Sequence, residues 1–106
     1  MHIKMSGHHV SVTPALEASI CDKLARVERH FDQIHSLHVV LSLDHHPTHI
    51  RHKGQHNHKA EAILRVSGIE LFAQASSDDM YTSIAMLYDK LDRQILRHKA
   101  RARLQH

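Results

Sequence analysis

Four cations, Lys90, Arg93, Arg97 and Arg101, follow one another at spacings of 3, 4 and 4. On an α-helix those spacings stack side chains along one face. At 1.5 Å of rise per residue the row is about 17 Å long. Duplex nucleic acid carries phosphates at a comparable pitch, so such a row can meet several of them. Lys99 and Arg103 lie farther round and widen the positive end. Lys23, Arg26 and Arg29 repeat the arrangement on a smaller scale, with His30 nearby. If the two helices lie side by side, the cations of both form one continuous phosphate-facing patch. Asp22, Glu28, Asp89 and Asp92 occupy the same segments. The competing reading is therefore i,i+4 ion pairing on a solvated face. Six cations against Asp89 and Asp92 favour phosphate binding on the second segment, whereas the first, alone, favours ion pairing.

Histidine is the other abundant ligand type. Six of the fourteen lie between His45 and His58: His45, His46, His49, His52, His56 and His58. Imidazole clusters bind Zn²⁺, Ni²⁺ or Cu²⁺. A built site also needs a fixed scaffold and partners that orient the rings. Pro47, Gly54 and Asn57 mark this stretch as a loop, so weak, incidental metal binding is expected, with no metal or cofactor site. Histidines as a class gain positive charge below about pH 6.5, which would favour RNA.

Catalytic constellations are missing. There is no P-loop, Rossmann glycine pattern or zinc-finger spacing. Ser, His and Asp occur with nothing to arrange them as a nucleophilic triad. A single cysteine, Cys21, excludes an internal disulfide and a Cys-based zinc site. The expectation is a protein that is not an enzyme and has no small-molecule substrate. Aromatics are limited to Phe31, Phe72, Tyr81 and Tyr88. Sheet-face readers of single-stranded RNA stack bases on exposed strand aromatics. Only Phe72 projects from an open face, beside Val40 and Ile63, which favours recognition of phosphates and helix shape.

Six elements position these groups. Residues 2–6 read as a short strand with Ile3 and Met5 on one face. Thr13-Pro14 opens a helix, since Thr caps and Pro fits the first helical position. Leu16, Ile20, Leu24, Val27 and Phe31 continue it as one apolar stripe. Residues 37–44, 58–66 and 69–76 alternate as strands, with a loop from His45 to about Asn57 and a tight turn at Ser67-Gly68. Asp78 or Asp79 then caps a helix reaching about Arg103, with Met80, Ile84, Leu87, Tyr88, Leu91 and Ile95 as its stripe. Each long strand has one apolar face, the pattern of a sheet covered on one side. The expected fold class is α+β: a two-layer β-α-β-β-β-α sandwich, a four-stranded sheet with both helices on one face. The β-α-β crossover should be right-handed.

Size and charge fit that reading. A chain of 106 residues supports one domain, 1–106, with the His-rich loop at 45–57 and a short basic tail at 101–106. No apolar run is long enough to span a bilayer. The N-terminus shows no secretory pattern, so a cytoplasmic location without membrane association is expected. The net charge is +3. From Met80 to His106 six Lys/Arg outnumber two Asp/Glu, whereas elsewhere eight face nine. The positive field is thus local to the last quarter of the chain, which is what phosphate binding responds to.

Several segments carry a family resemblance. Asp79-Met80-Tyr81-Thr82-Ser83-Ile84 is followed by Asp89-Lys90-Leu91-Asp92-Arg93-Gln94-Ile95 and Arg97-His98-Lys99. Thr13-Pro14-Ala15-Leu16, Lys23-Leu24, Phe31-Asp32 and His38-Val39-Val40-Leu41 precede them. In this order they resemble the ribosome hibernation promoting factor family, also known as ribosome-associated inhibitors or sigma-54 modulation proteins. The resemblance implies a fold similar to double-stranded RNA-binding domains. It implies binding to 16S rRNA of the small ribosomal subunit, in the channel used by messenger and transfer RNA, so that translation stops reversibly in stationary phase or stress. It maps RNA contacts onto Lys23, Arg26, Lys90, Arg93, Arg97 and Lys99; helix geometry adds Arg29 and Arg101.

Ending at His106, the chain is similar to short family members. Its brief basic tail resembles the branch that promotes ribosome dimers together with a separate modulation factor. The alternative is the inhibitor branch, which silences single ribosomes and opposes dimerisation. Readings of other classes are a His-rich metal-binding protein and, ranked last for want of helix-turn-helix spacing, a transcription regulator. The His-rich loop departs from the family pattern.

Overall fold

A computed structural model describes residues 2–30, 34–43 and 57–104. Its elements are β1 (His2–His8), α1 (Pro14–His30), β2 (Ile34–Leu43), β3 (His58–Val66), β4 (Ile69–Ser77) and α2 (Met80–Leu104). The strands form one sheet in the order β1-β2-β3-β4. β1 runs parallel to β2, and the two later pairings are antiparallel. The expected α+β order and sheet are therefore present. The loop at 45–56, Phe31 and the end of the tail lie outside the described residues.

Each element follows from local chemistry. The Thr13 hydroxyl accepts the Leu16 N–H at 3.2 Å, and the Thr13 carbonyl accepts the Glu17 N–H at 2.9 Å. The first satisfies an orphan donor of the first turn of α1, and the second is the helix's first intrahelical bond. Of the two candidate caps for α2, Asp79 holds the role. Its Oδ2 accepts the Thr82 N–H at 3.0 Å and the Thr82 hydroxyl at 3.1 Å. Gly68 turns the chain at φ 77°, a left-handed conformation that needs no Cβ. Strand β1 runs to His8, through Gly7 rather than stopping before it. A Cβ at Gly7 would collide with the Val10 carbonyl, so the glycine serves the close return of the chain. Strand β2 begins at Ile34, three residues before the alternation suggests. The register shifts between Ile34 and Ser36, so buried Ile34 and Leu37 fall out of period 2.

One face of the sheet carries the core. Leu37, Val39 and Leu41 on β2, Leu64 and Val66 on β3, and four alanines, Ala60, Ala62, Ala73 and Ala75, are all buried. The alanines lie on β3 and β4, where α2 packs. Their small side chains let that helix approach closely, and Ile84, Leu87, Leu91 and Ile95 become fully buried. Helix α1 contributes Leu16, Ile20, Leu24 and Val27 and packs beside α2. A hollow lined by Ile3, Met5, Val12, Glu17 and Cys21 separates α1 from β1. Helix α2 is therefore the helix over the β4 side of the sheet. Buried hydroxyls tie its first turn to the strands. Ser83 Oγ donates to the His58 carbonyl at 2.6 Å and lies 2.6 Å from Ser77 Oγ, which donates to the Asp79 carbonyl.

The other face is open. Lys4, His38, Ile63 and Phe72 form one row across it, each opposite the next. Phe72 is 51% exposed and Ile63 38%. The ion pairs Lys59–Glu61 and Arg65–Glu70 also lie on this face, at 3.0 and 2.8 Å.

Candidate nucleic-acid interface

Packing fixes which way the α2 cations point. The buried stripe from Met80 to Ile95 faces the sheet. At 100° per residue, Lys90, Arg93, Arg97 and Arg101 then fall on the flank turned away from α1. That flank meets the edge strand. Lys90 Nζ donates to the Gln74 carbonyl at 2.7 Å, and Gln94 Nε2 donates to the Phe72 carbonyl at 2.8 Å. Two adjoining hollows follow this seam. Lys90, Arg93 and Arg97 line the first with Phe72, Gln74 and Gln94, in a volume of ≈ 370 Å³. Arg97 and Arg101 line the second with Ile69, Leu71, Gln94 and His98, in ≈ 300 Å³. They share Gln94 and Arg97, and among the described residues neither wall holds an acid. Past Ile95 no described residue of α2 is buried, so Arg97 and Arg101 stand on a segment that overhangs the core.

The first helix presents its cations elsewhere. Lys23 and Arg26 line the groove between the helices, and Asp89 and Asp92 line the same groove with Val27, Ala85 and Tyr88. The two sets therefore do not merge into one uninterrupted patch among the described residues. Each helix does place cations beside its core stripe, but α1 turns Lys23 and Arg26 toward α2, whose facing flank carries the acids. Arg29 is exposed on α1 and lines neither groove. Lys99 is half-buried on α2.

These differences rank the sites electrostatically. In the interhelical groove two carboxylates offset two cations. Along the β4 seam four cations act in the same direction. Arg93, Arg97 and Arg101 are exposed and enter no ion pair among the described residues. Their guanidinium groups point a fixed fork of donors at solvent, the geometry that suits phosphate oxygens. Lys90 makes its hydrogen bond to a neutral carbonyl, so its charge stays available to the field.

Tyr88 is a buried group with a displaced acidity. Burial pushes its phenol well above the ordinary range, and the neighbouring Cys21 thiol adds to the effect. The hydroxyl has no hydrogen-bond partner among the described residues. It stays neutral and serves packing. Among the described residues no group of three or more His, Cys, Asp or Glu could hold a metal ion. The six loop histidines, apart from His58, fall outside those residues.

Sequence reasoning missed Gln94 and the edge-strand seam. Gln94 lies between the apolar stripe and the cation row, an ambiguous place on a helical wheel. Only the position of β4 shows that its amide caps a strand carbonyl.

Comparison with known proteins gives a consistent family. The family model described as Sigma 54 modulation protein / S30EA ribosomal protein matches residues 3–103. The ribosome hibernation promoting factor of Acinetobacter guillouiae is 52% identical over 99 residues, covering 93% of this chain and 88% of that protein. The Escherichia coli K12 protein of the same name is 35% identical over 99 residues, covering 93% and 94%. A ribosomal subunit interface protein from Coxiella burnetii superposes with a TM-score of 0.77 at 32% identity, covering 94% of this chain and 99% of its own. The N-terminal domain of Thermus thermophilus Protein Y gives 0.75 at 28% identity, covering 92% and 99%.

Proposed function

Since the chain belongs to the Sigma 54 modulation protein / S30EA ribosomal protein family, whose members are ribosome-associated hibernation factors and not enzymes, we propose that it silences translation by occupying the small ribosomal subunit. The domain sits in the messenger- and transfer-RNA channel and excludes both. Its contact is with 16S rRNA, made chiefly through Lys90, Arg93, Arg97 and Arg101. Lys23, Arg26, Arg29 and Lys99 add to the field at the margins. One observation carries this reading: an acid-free row of cations along the α2–β4 seam, the arrangement that binds a phosphate backbone.

Relatives named ribosome hibernation promoting factor support the further reading that the protein promotes paired, idle ribosomes together with a separate modulation factor, in stationary phase or stress. The whole 1–106 chain acts as one ribosome-binding domain in the cytoplasm, where its target is. None of the described helices is long and apolar enough to cross a membrane.

Sedimentation tests the reading. In a sucrose gradient of stationary-phase lysate the protein should travel with small subunits, ribosomes and ribosome dimers. The double variant Arg93→Glu, Arg97→Glu should stay at the top of the gradient while keeping its melting temperature, because both side chains are exposed. Normal co-sedimentation of that variant in moderate salt would exclude this face.

A further inference from the structure

The α2–β4 seam holds more than charge. Phe72 belongs to the edge strand, lines the same hollow as Lys90, Arg93 and Arg97, and is half exposed. In the register of the sheet it stands at the end of the open-face row, beside Ile63. Its own carbonyl is covered by the Gln94 amide, and the next outward-facing carbonyl, that of Gln74, by Lys90. A residue on an antiparallel edge points its N–H and C=O to the same side. With these two acceptors covered by donors, the stretch of the edge from Phe72 to Gln74 presents amide hydrogens and cations to whatever lies along it. It is a poor template for another strand and a good one for an anion.

We propose that Phe72 is a base-stacking residue: a single-stranded stretch of ribosomal RNA follows the seam, its phosphates on Lys90, Arg93 and Arg97, and one unpaired base lies on the Phe72 ring. This rests on the RNA-binding reading above and goes beyond it, because phosphates alone position a protein without telling paired from unpaired RNA. An aromatic face beside a cationic track is the combination that selects single strands. An isolated exposed phenylalanine is ordinary on a protein surface. What distinguishes this one is that, among the described residues, the wall it shares with three cations holds no acid, and Glu70, two positions along the same face, is ion-paired to Arg65. In the sequence Phe72 is a lone aromatic, a pattern that favours phosphate recognition alone. The seam changes that weighting, since one ring beside a phosphate track suffices for one base.

Variants that separate the ring from its apolar bulk test the proposal, with purified small ribosomal subunits as the probe. Phe72→Leu keeps an apolar side chain and loses the flat face. Phe72→Trp keeps a flat face. Stacking of one base predicts that Phe72→Leu and Phe72→Ala bind about 5- to 150-fold more weakly, while Phe72→Trp binds like the parent. A photoreactive phenylalanine analogue at position 72 should cross-link to an unpaired nucleotide of ribosomal RNA. If the parent protein binds and Phe72→Leu binds equally well, stacking is wrong and the phosphate reading survives. If the cross-link goes only to a ribosomal protein, the partner has been misassigned and the proposal fails. If the parent does not bind the subunit at all, both readings fall. Thermal melts of each variant exclude unfolding as the cause.

Discussion

The salt dependence of ribosome binding separates a one-seam footprint from a two-helix footprint. Each phosphate neutralised by a cation releases condensed counterions, and log K falls linearly with log salt, with a slope of about −0.7 per phosphate for single strands and about −0.9 for duplex. Lys90, Arg93, Arg97 and Arg101 line the seam without an acid. If each meets one phosphate, the slope lies between about −2.8 and −3.6. Affinity then falls roughly 50- to 150-fold between 50 and 200 mM KCl. If Lys23, Arg26, Arg29 and Lys99 engaged phosphates as fully, the slope would double and the same change in salt would cost on the order of a thousandfold or more. The interhelical acids argue for the smaller value, because Asp89 and Asp92 already share a groove with Lys23 and Arg26. Equilibrium titrations with small subunits, at fixed Mg²⁺ and several KCl concentrations, measure the slope. Arg93→Gln with Arg97→Gln should make it shallower by about 1.4 to 1.8. Lys23→Gln with Arg26→Gln should change it by less. A slope near zero, or one altered equally by both pairs, would refute the assignment of the field to the seam.

Two further outcomes concern stability. Tyr88→Phe removes a buried hydroxyl that has no hydrogen-bond partner, so the variant should be as stable as the parent or more so, by about 1 kcal/mol, in urea melts at pH 7. The same residue makes the parent sensitive to alkali. Burial raises its pKa in the folded state, so the folded protein keeps a proton that the unfolded chain loses near pH 10. The contribution of Tyr88, constant below about pH 10, should decline above it, and Tyr88→Phe should flatten that decline. Asp79→Ala strips two hydrogen bonds from the first turn of α2 and should cost about 1 to 2 kcal/mol, read as a lower melting temperature, without altering the salt slope of ribosome binding.

The sequence was legible wherever one period governed it. Strand β3 alternates without interruption from His58 to Val66, and its bounds match the expectation. The stripe Met80, Ile84, Leu87, Tyr88, Leu91 and Ile95 is buried as its spacing requires. Period failed at Ile34, where a register shift breaks alternation, and at Gly7, where the glycine serves a close chain return instead of ending a strand. Polar groups that act through tertiary partners were not legible. Ser83 looks like any helix serine, yet it is fully buried because the His58 carbonyl, 25 positions earlier, accepts its hydroxyl. The candidate site shows the same division. The cation row on α2 could be read from spacing alone, since all its members share one helix. Whether it joined the α1 cations depended on how the helices face each other, which no single-helix pattern contains.

That relative orientation has a functional consequence. Helix α2 carries its cations on the β4 flank, and Asp89 and Asp92 share the α1-facing groove with Lys23 and Arg26. A helix with both signs mixed around its circumference would attract RNA weakly from all sides. Separated flanks give a direction: a polyanion is drawn to the edge-strand side and meets carboxylates if it approaches over the interhelical groove. Such complementarity fixes register and suppresses wrong poses more than it adds affinity. For a protein whose proposed action is to fill a channel, orientation decides whether the rest of the domain lies where messenger and transfer RNA must pass. In the proposed binding mode Asp89 and Asp92 therefore orient the polyanion as much as the arginines attract it. In that mode the two acids turn a phosphate backbone toward the strand edge that carries Phe72 and the Gln94-capped peptide.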